Sequence, residues 1–61
     1  MGEVLHIPDL LTERAAAATL GLSIDTLQRL RKRQAIRYRR IGGRIRYTPE
    51  DLVDFIEASA V

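Results

Sequence analysis

The side chains with chemistry to offer are arginines. Between Arg29 and Arg46 stand nine basic residues (Arg29, Arg31, Lys32, Arg33, Arg37, Arg39, Arg40, Arg44 and Arg46) with no acid among them. A guanidinium presents a flat fork of donors that grips phosphate or carboxylate oxygens in pairs. All eight acidic residues lie outside this window, and only Arg14 offsets them there. The window therefore carries +9 and the remainder −7, which together give the net +2. One part of the chain suits a polyanion, and the rest suits holding that part in shape. Nine such charges would engage about five to eight phosphates.

Other chemistries lack their residues. There is no cysteine, so neither a disulfide nor a thiolate metal site is available. Its absence fits a reducing cytoplasm. His6 is the single histidine, with Asp9 a nearby carboxylate, and that is too few ligands for a metal. The sequence has no carboxylate pair, nucleophile–histidine arrangement or phosphate loop, so we expect no enzyme, no cofactor and no small-molecule ligand. No apolar run approaches the ~20 residues that span a bilayer. The N-terminus also lacks the basic start and apolar core of a signal peptide, so a cytoplasmic protein is expected. Tyr38, Tyr47 and Phe55 are the only aromatic residues, few for a platform that stacks single-stranded bases.

The elements that must position the arginines follow from local pattern. Sixty-one residues make one domain, 1–61, with a lead-in over 1–10 and a fraying tail over 58–61. A chain this short buries only about 60% of its unfolded surface, so its stability is marginal. Pro8 breaks any helix in the lead-in. Thr12 is a good N-cap, and the run Glu13 to Leu20 holds four consecutive alanines, the best helix formers. Small alanine side chains also let another helix approach closely. Gly21 ends this helix in a left-handed conformation, and Leu22 plugs the turn.

Ser23 caps the second helix. Leu27 and Leu30 mark its inward face. The opposite face carries Asp25, Gln28, Arg29 and Lys32, with Thr26 and Arg33 on one flank. Arg31 falls nearer the buried side and is expected to extend along its stem to solvent. Charge alone does not separate binding from a solvated helix face.

Arg37 to Ile41 and Arg44 to Tyr47 flank Gly42-Gly43, a strong two-residue hairpin signal. The register sets Ile41 against Arg44, Arg40 against Ile45, Arg39 against Arg46 and Tyr38 against Tyr47. One face holds Tyr38, Arg40, Ile45 and Tyr47. The other holds Arg37, Arg39, Ile41, Arg44 and Arg46, with like charges directly opposed. Such opposition is destabilising unless a polyanion neutralises it. Thr48-Pro49-Glu50-Asp51 then starts a third helix. Leu52, Phe55 and Ile56 form its inward stripe, and its acids point away from the basic surface. The expected fold is α+β, mainly α: three helices with a two-stranded β-hairpin wing between helices 2 and 3, a winged helix-turn-helix. With every apolar stripe used internally, a monomer is expected in free solution.

Leu11-Thr12, Ala16-Ala17, Leu20-Gly21-Leu22-Ser23, the basic second helix, Arg40-Ile41-Gly42, Arg44-Ile45-Arg46-Tyr47 and Asp51-Leu52 together resemble the small excisionase and AlpA-type DNA-binding proteins. These share a winged helix-turn-helix domain like that of the MerR regulators. The resemblance covers roughly residues 10–57, and the wing with the third-helix start is its most specific part. Two positions depart from it. Ala15 stands where the family often has glutamate, and Gln34 where it often has glycine.

The resemblance implies binding to double-stranded DNA. On matching positions, Ser23, Asp25, Thr26, Gln28, Arg29, Lys32 and Arg33 of the second helix would meet the major groove. Arg37, Arg39, Arg40, Arg44 and Arg46 of the wing would meet backbone or minor groove. An excisionase that bends DNA and directs an integrase toward excision is the leading expectation. It would be nucleoid-associated, with the integrase and adjacent copies of itself on DNA as partners. The alternative on the same fold is a small transcription regulator of a phage or genomic island. A basic module for RNA or for an acidic protein is the third reading, which the order of helix-turn-helix and wing disfavours.

Overall fold

Three hydroxyl caps divide the chain into helices. The computed structural model describes residues 9–60. The expected lead-in, with His6, falls mostly outside the described residues, as does the last residue of the tail. The Ala15 N–H donates to Thr12 Oγ1 at 3.1 Å and starts α1 (Glu13–Leu20). Ala15 itself has no carboxylate to bond back to Thr12, so only half of a capping box forms there. The Thr26 N–H donates to Ser23 Oγ at 3.1 Å and starts α2 (Ile24–Lys32). At α3 (Pro49–Ala58) the box is complete: the Asp51 N–H donates to Thr48 Oγ1 at 3.1 Å, and the Thr48 N–H donates to Asp51 Oδ2 at 3.0 Å.

The first two helices end in the same way. Gly21 takes φ +71°, and the Gly21 and Leu22 amides fold back onto the carbonyls of Ala18 and Ala17. After α2, the Gln34 and Ala35 amides fold back onto Arg31 and Leu30, with Gln34 at φ +59°. Both are left-handed helix stops that satisfy the orphan carbonyls. The second is made by a residue with a Cβ, where glycine would be unstrained.

The hairpin pairs β1 (Arg39–Ile41) with β2 (Arg44–Arg46), with Arg39 opposite Arg46, Arg40 opposite Ile45 and Ile41 opposite Arg44 as expected, but the ladder stops short of the expected Tyr38–Tyr47 pair. Gly42 and Gly43 both take positive φ, as a tight turn of this twist requires. Beyond β2, Tyr47 exchanges backbone hydrogen bonds of 2.8 and 2.9 Å with Leu11. Backbone groups alternate sides along a strand, so Arg46 bonds β1 while Tyr47 bonds outward. Leu11, just after the lead-in, is thereby tied to the end of the wing.

Ala16, Ala17, Leu27, Ile36, Tyr47 and Leu52 form the buried core, with Leu11, Leu20, Ile24, Leu30, Tyr38, Ile45 and Phe55 packed against it. The two alanines let α1 and α2 pack directly on one another. The inward stripe of α3 differs from expectation. Asp51 is fully buried and Leu52 is buried, whereas Ile56 is 54% exposed. Placing Asp51 inward turns the buried arc toward positions 51, 52 and 55, and Ile56 falls some 90° from its centre at about 100° per residue. Val53, Ile41 and Leu10 are also exposed, so the apolar side chains are not all used internally. Ala58 is still helical, and Ser59 closes the helix by donating Oγ to the Phe55 carbonyl at 2.8 Å.

Candidate nucleic-acid interface

Two carboxylates hold the basic elements in place. The first is Glu13, at the start of α1. It accepts Arg31 Nε at 2.7 Å, the Tyr47 hydroxyl at 2.8 Å and Gln28 Nε2 at 3.3 Å. One side chain therefore joins α1, α2 and the strand end. Arg31 also lies 5.8 Å from the centroid of the Tyr38 ring, within cation–π range. Burial pushes the Glu13 carboxyl up, but the bonds from Arg31, Tyr47 and Gln28 outweigh it and hold the group below its ordinary range. Burial and the bond to Glu13 push the Tyr47 phenol well above its usual value.

The second is Asp51. Arg39 reaches it with Nε at 3.2 Å and Nη2 at 3.0 Å, a two-pronged grip from β1 onto the start of α3. Burial raises the Asp51 carboxyl, but Arg39 and the Thr48 amide more than compensate and hold it low. This carboxylate answers part of the like-charge opposition expected across the hairpin. Arg39 faces Arg46, yet Arg39 has an acid of its own. Opposition across the strands therefore argues less strongly for a polyanion than the sequence suggested.

The expected DNA-facing residues separate into groups. Arg29, Lys32 and Arg33 of the second-helix region are exposed, as is Asp25 in its first turn. Arg29 and Lys32 also stand in the last turn of α2, where cations favour the helix dipole. Ser23 Oγ accepts from the Thr26 amide and donates to Thr26 Oγ1 at 2.9 Å, so both hydroxyls are engaged in the cap. Gln28 is half-buried against Glu13, which corrects its placement on the fully exposed face. Arg31 ends on Glu13, not in solvent as expected, with 15% of its side chain exposed. In the wing, Arg37, Arg39, Arg40 and Arg44 are exposed, Arg39 with 46% of its side chain accessible even while it grips Asp51. Arg46 is half-buried and donates Nη1 to the Ile45 carbonyl at 2.7 Å.

Among the described residues the ion pairs are Arg31–Glu13 and Arg39–Asp51. Among the same residues, seven of the nine window cations have no ion pair: Arg29, Lys32, Arg33, Arg37, Arg40, Arg44 and Arg46. Among the same residues no helix is long and apolar enough to cross a membrane.

Glu13, Arg31, Tyr47 and Asp51 are the positioning residues that sequence reasoning missed. A signal existed for two of them. An arginine on the buried side of a helix needs a carboxylate, and a tyrosine facing a core needs an acceptor for its hydroxyl.

The three helices with the hairpin between the second and third define a winged helix-turn-helix class of protein. Comparison with known families agrees, since the helix-turn-helix domain family matches residues 10–60. The chain belongs to that family, and membership supports sequence-specific binding to double-stranded DNA. Neither the curated proteins nor the solved structures provided a match.

Proposed function

We propose that the protein is an excisionase, a DNA-shaping accessory of recombination that seats α2 in the major groove and lays its wing along the backbone or minor groove. The observation that carries the DNA contact is the run of seven cations, without ion pairs among the described residues, through α2, the following joint and the hairpin. Their long-range attraction to phosphates supplies affinity, and side chains on the exposed face of α2 supply specificity. Arg29 is the side chain best placed to read a base edge, because it is exposed and has no ion pair among the described residues. An arginine pairs bidentately with guanine. Gln28 would have to leave Glu13 to read adenine. Lys32, Arg33, Arg37, Arg40 and Arg44 contact phosphates in this reading.

The excisionase role rests on the resemblance of the helix-turn-helix, wing and third-helix start to that group. One such domain reads only a few base pairs, so useful specificity calls for adjacent copies on repeated sites. The acidic remainder of one copy and the basic window of the next suit such a contact. A transcription regulator would use the same surface. Footprinting on the DNA flanking the gene separates the two. Protection over repeats in an attachment arm beside an integrase gene supports excision, and protection confined to a promoter supports regulation.

A further inference from the structure

We propose that Arg39 is a positioning residue of the wing and not one of its phosphate contacts, an inference that rests on the DNA-binding reading above. Its guanidinium makes two bonds to Asp51, 3.2 and 3.0 Å long. Asp51 is itself immobilised: it is fully buried, and its Oδ2 also accepts the Thr48 amide at 3.0 Å in the capping box. Arg39 thus grips a fixed point on α3.

The wing needs such a grip. Its β2 strand is tied to the body at its C-terminal end. Tyr47 follows it directly, bonds Leu11 through the backbone and bonds Glu13 through its hydroxyl. Among the described residues, the β1 strand has β2 on one side and no other strand beyond it. Among the described residues, the side-chain bond that ties β1 to a helix is Arg39–Asp51. Arg40 is the next residue along, and Arg44 stands opposite Ile41 at the turn. The clasp therefore governs where these two free guanidiniums stand.

Charge separates the two roles. A guanidinium already neutralised by a carboxylate releases few counterions on meeting DNA, whereas a free one contributes about 0.9 to the log–log salt slope. A lysine can replace a phosphate-contacting arginine as a point charge, but it cannot reproduce a bidentate fork on a carboxylate.

The test is duplex-DNA binding by the full chain, followed by fluorescence anisotropy across a salt series. The variants are Arg39→Ala, Arg39→Lys, Arg40→Ala and Arg44→Ala, with circular dichroism as the check of folding. We expect Arg40→Ala and Arg44→Ala each to lower the slope by about 0.9. Arg39→Ala should weaken binding about tenfold, the scale of one charge-assisted hydrogen bond, with the slope unchanged. Arg39→Lys should recover only a small part of that loss. Because Arg39→Lys keeps a cation beside Asp51, it carries the test even if the alanine variant does not fold. A slope lowered by Arg39→Ala as much as by Arg40→Ala overturns the inference, and so does wild-type affinity in Arg39→Lys. Unchanged slopes in Arg40→Ala and Arg44→Ala would take the wing off the DNA, overturning the underlying reading and this inference with it.

Discussion

The hydroxyl of Tyr47 donates to the carboxylate of Glu13 at 2.8 Å, joining residues 34 positions apart. Tyr47 is fully buried, so its ring belongs to the core while its hydroxyl reaches the group that holds α2. Removing the hydroxyl leaves the ring packing intact and takes one bond from a charged acceptor. Tyr47→Phe should cost about 1.5–2 kcal/mol in denaturant unfolding. Glu13→Ala should cost more, about 2–4 kcal/mol, because it also strands Arg31, of which only 15% is exposed. Equal and negligible losses in both variants would mean that the cluster contributes nothing to holding the helices together.

Stability should depend on pH at both ends of the scale. The Glu13 and Asp51 carboxyls are held below their ordinary values in the folded chain, burial being outweighed by their hydrogen bonds. Their contribution is fully present above the unfolded values of about 4.3 and 3.9, and is lost as pH falls through the lower folded values. The Tyr47 phenol is raised, by burial and by Glu13. Its contribution is fully present below the unfolded value of about 10 and is lost as pH rises toward the folded one. Thermal melts should therefore show Tm falling below about pH 5 and again above about pH 10. Tyr47→Phe should abolish its share of the alkaline fall and leave the Asp51 share of the acid fall in place.

Gln34 sits at φ +59° where α2 stops, in the same geometry that Gly21 adopts after α1. A side chain there carries left-handed strain that glycine lacks. Gln34→Gly should stabilise the protein by about 1 kcal/mol, read as a higher denaturation midpoint with an unchanged slope. A loss of stability would show that the Gln34 side chain makes a compensating contact.

Arg29 is exposed on α2 and is the residue proposed to read a base edge. Arg29→Ala should cost about 1–3 kcal/mol on a site selected from random duplexes, and much less on unselected DNA. An equal loss on both would reassign Arg29 to the phosphates.

What could be read from the sequence was local. The three caps at Thr12, Ser23 and Thr48, the stop at Gly21 and the hairpin register each depend on residues a few positions apart, and each appears as read. The contacts that position the site are not local. Glu13 reaches Gln28, Arg31 and Tyr47 over 15, 18 and 34 positions, and Arg39 reaches Asp51 over 12. A first-turn acid looks like an answer to the helix dipole, and nothing in its neighbours shows that it will also serve a distant arginine. The misplacement of Gln28 and Ile56 has the same origin. Helical period gives a face to within a residue or so, and a buried polar partner (Glu13 for one, inward Asp51 for the other) decides which residue lies at the edge.

The central claim is that the free cations from Arg29 to Arg46 form the surface that meets duplex DNA. Seven of them have no ion pair among the described residues. If four to six of these engage phosphates, the affinity of the wild-type chain for a duplex should fall with salt along a log–log slope of about −4 to −5. That slope, measured by anisotropy between roughly 50 and 200 mM salt, is the most direct test. A slope near the expected value supports the account. One shallower than about −2 would show that the basic window is not the DNA surface, and would contradict it.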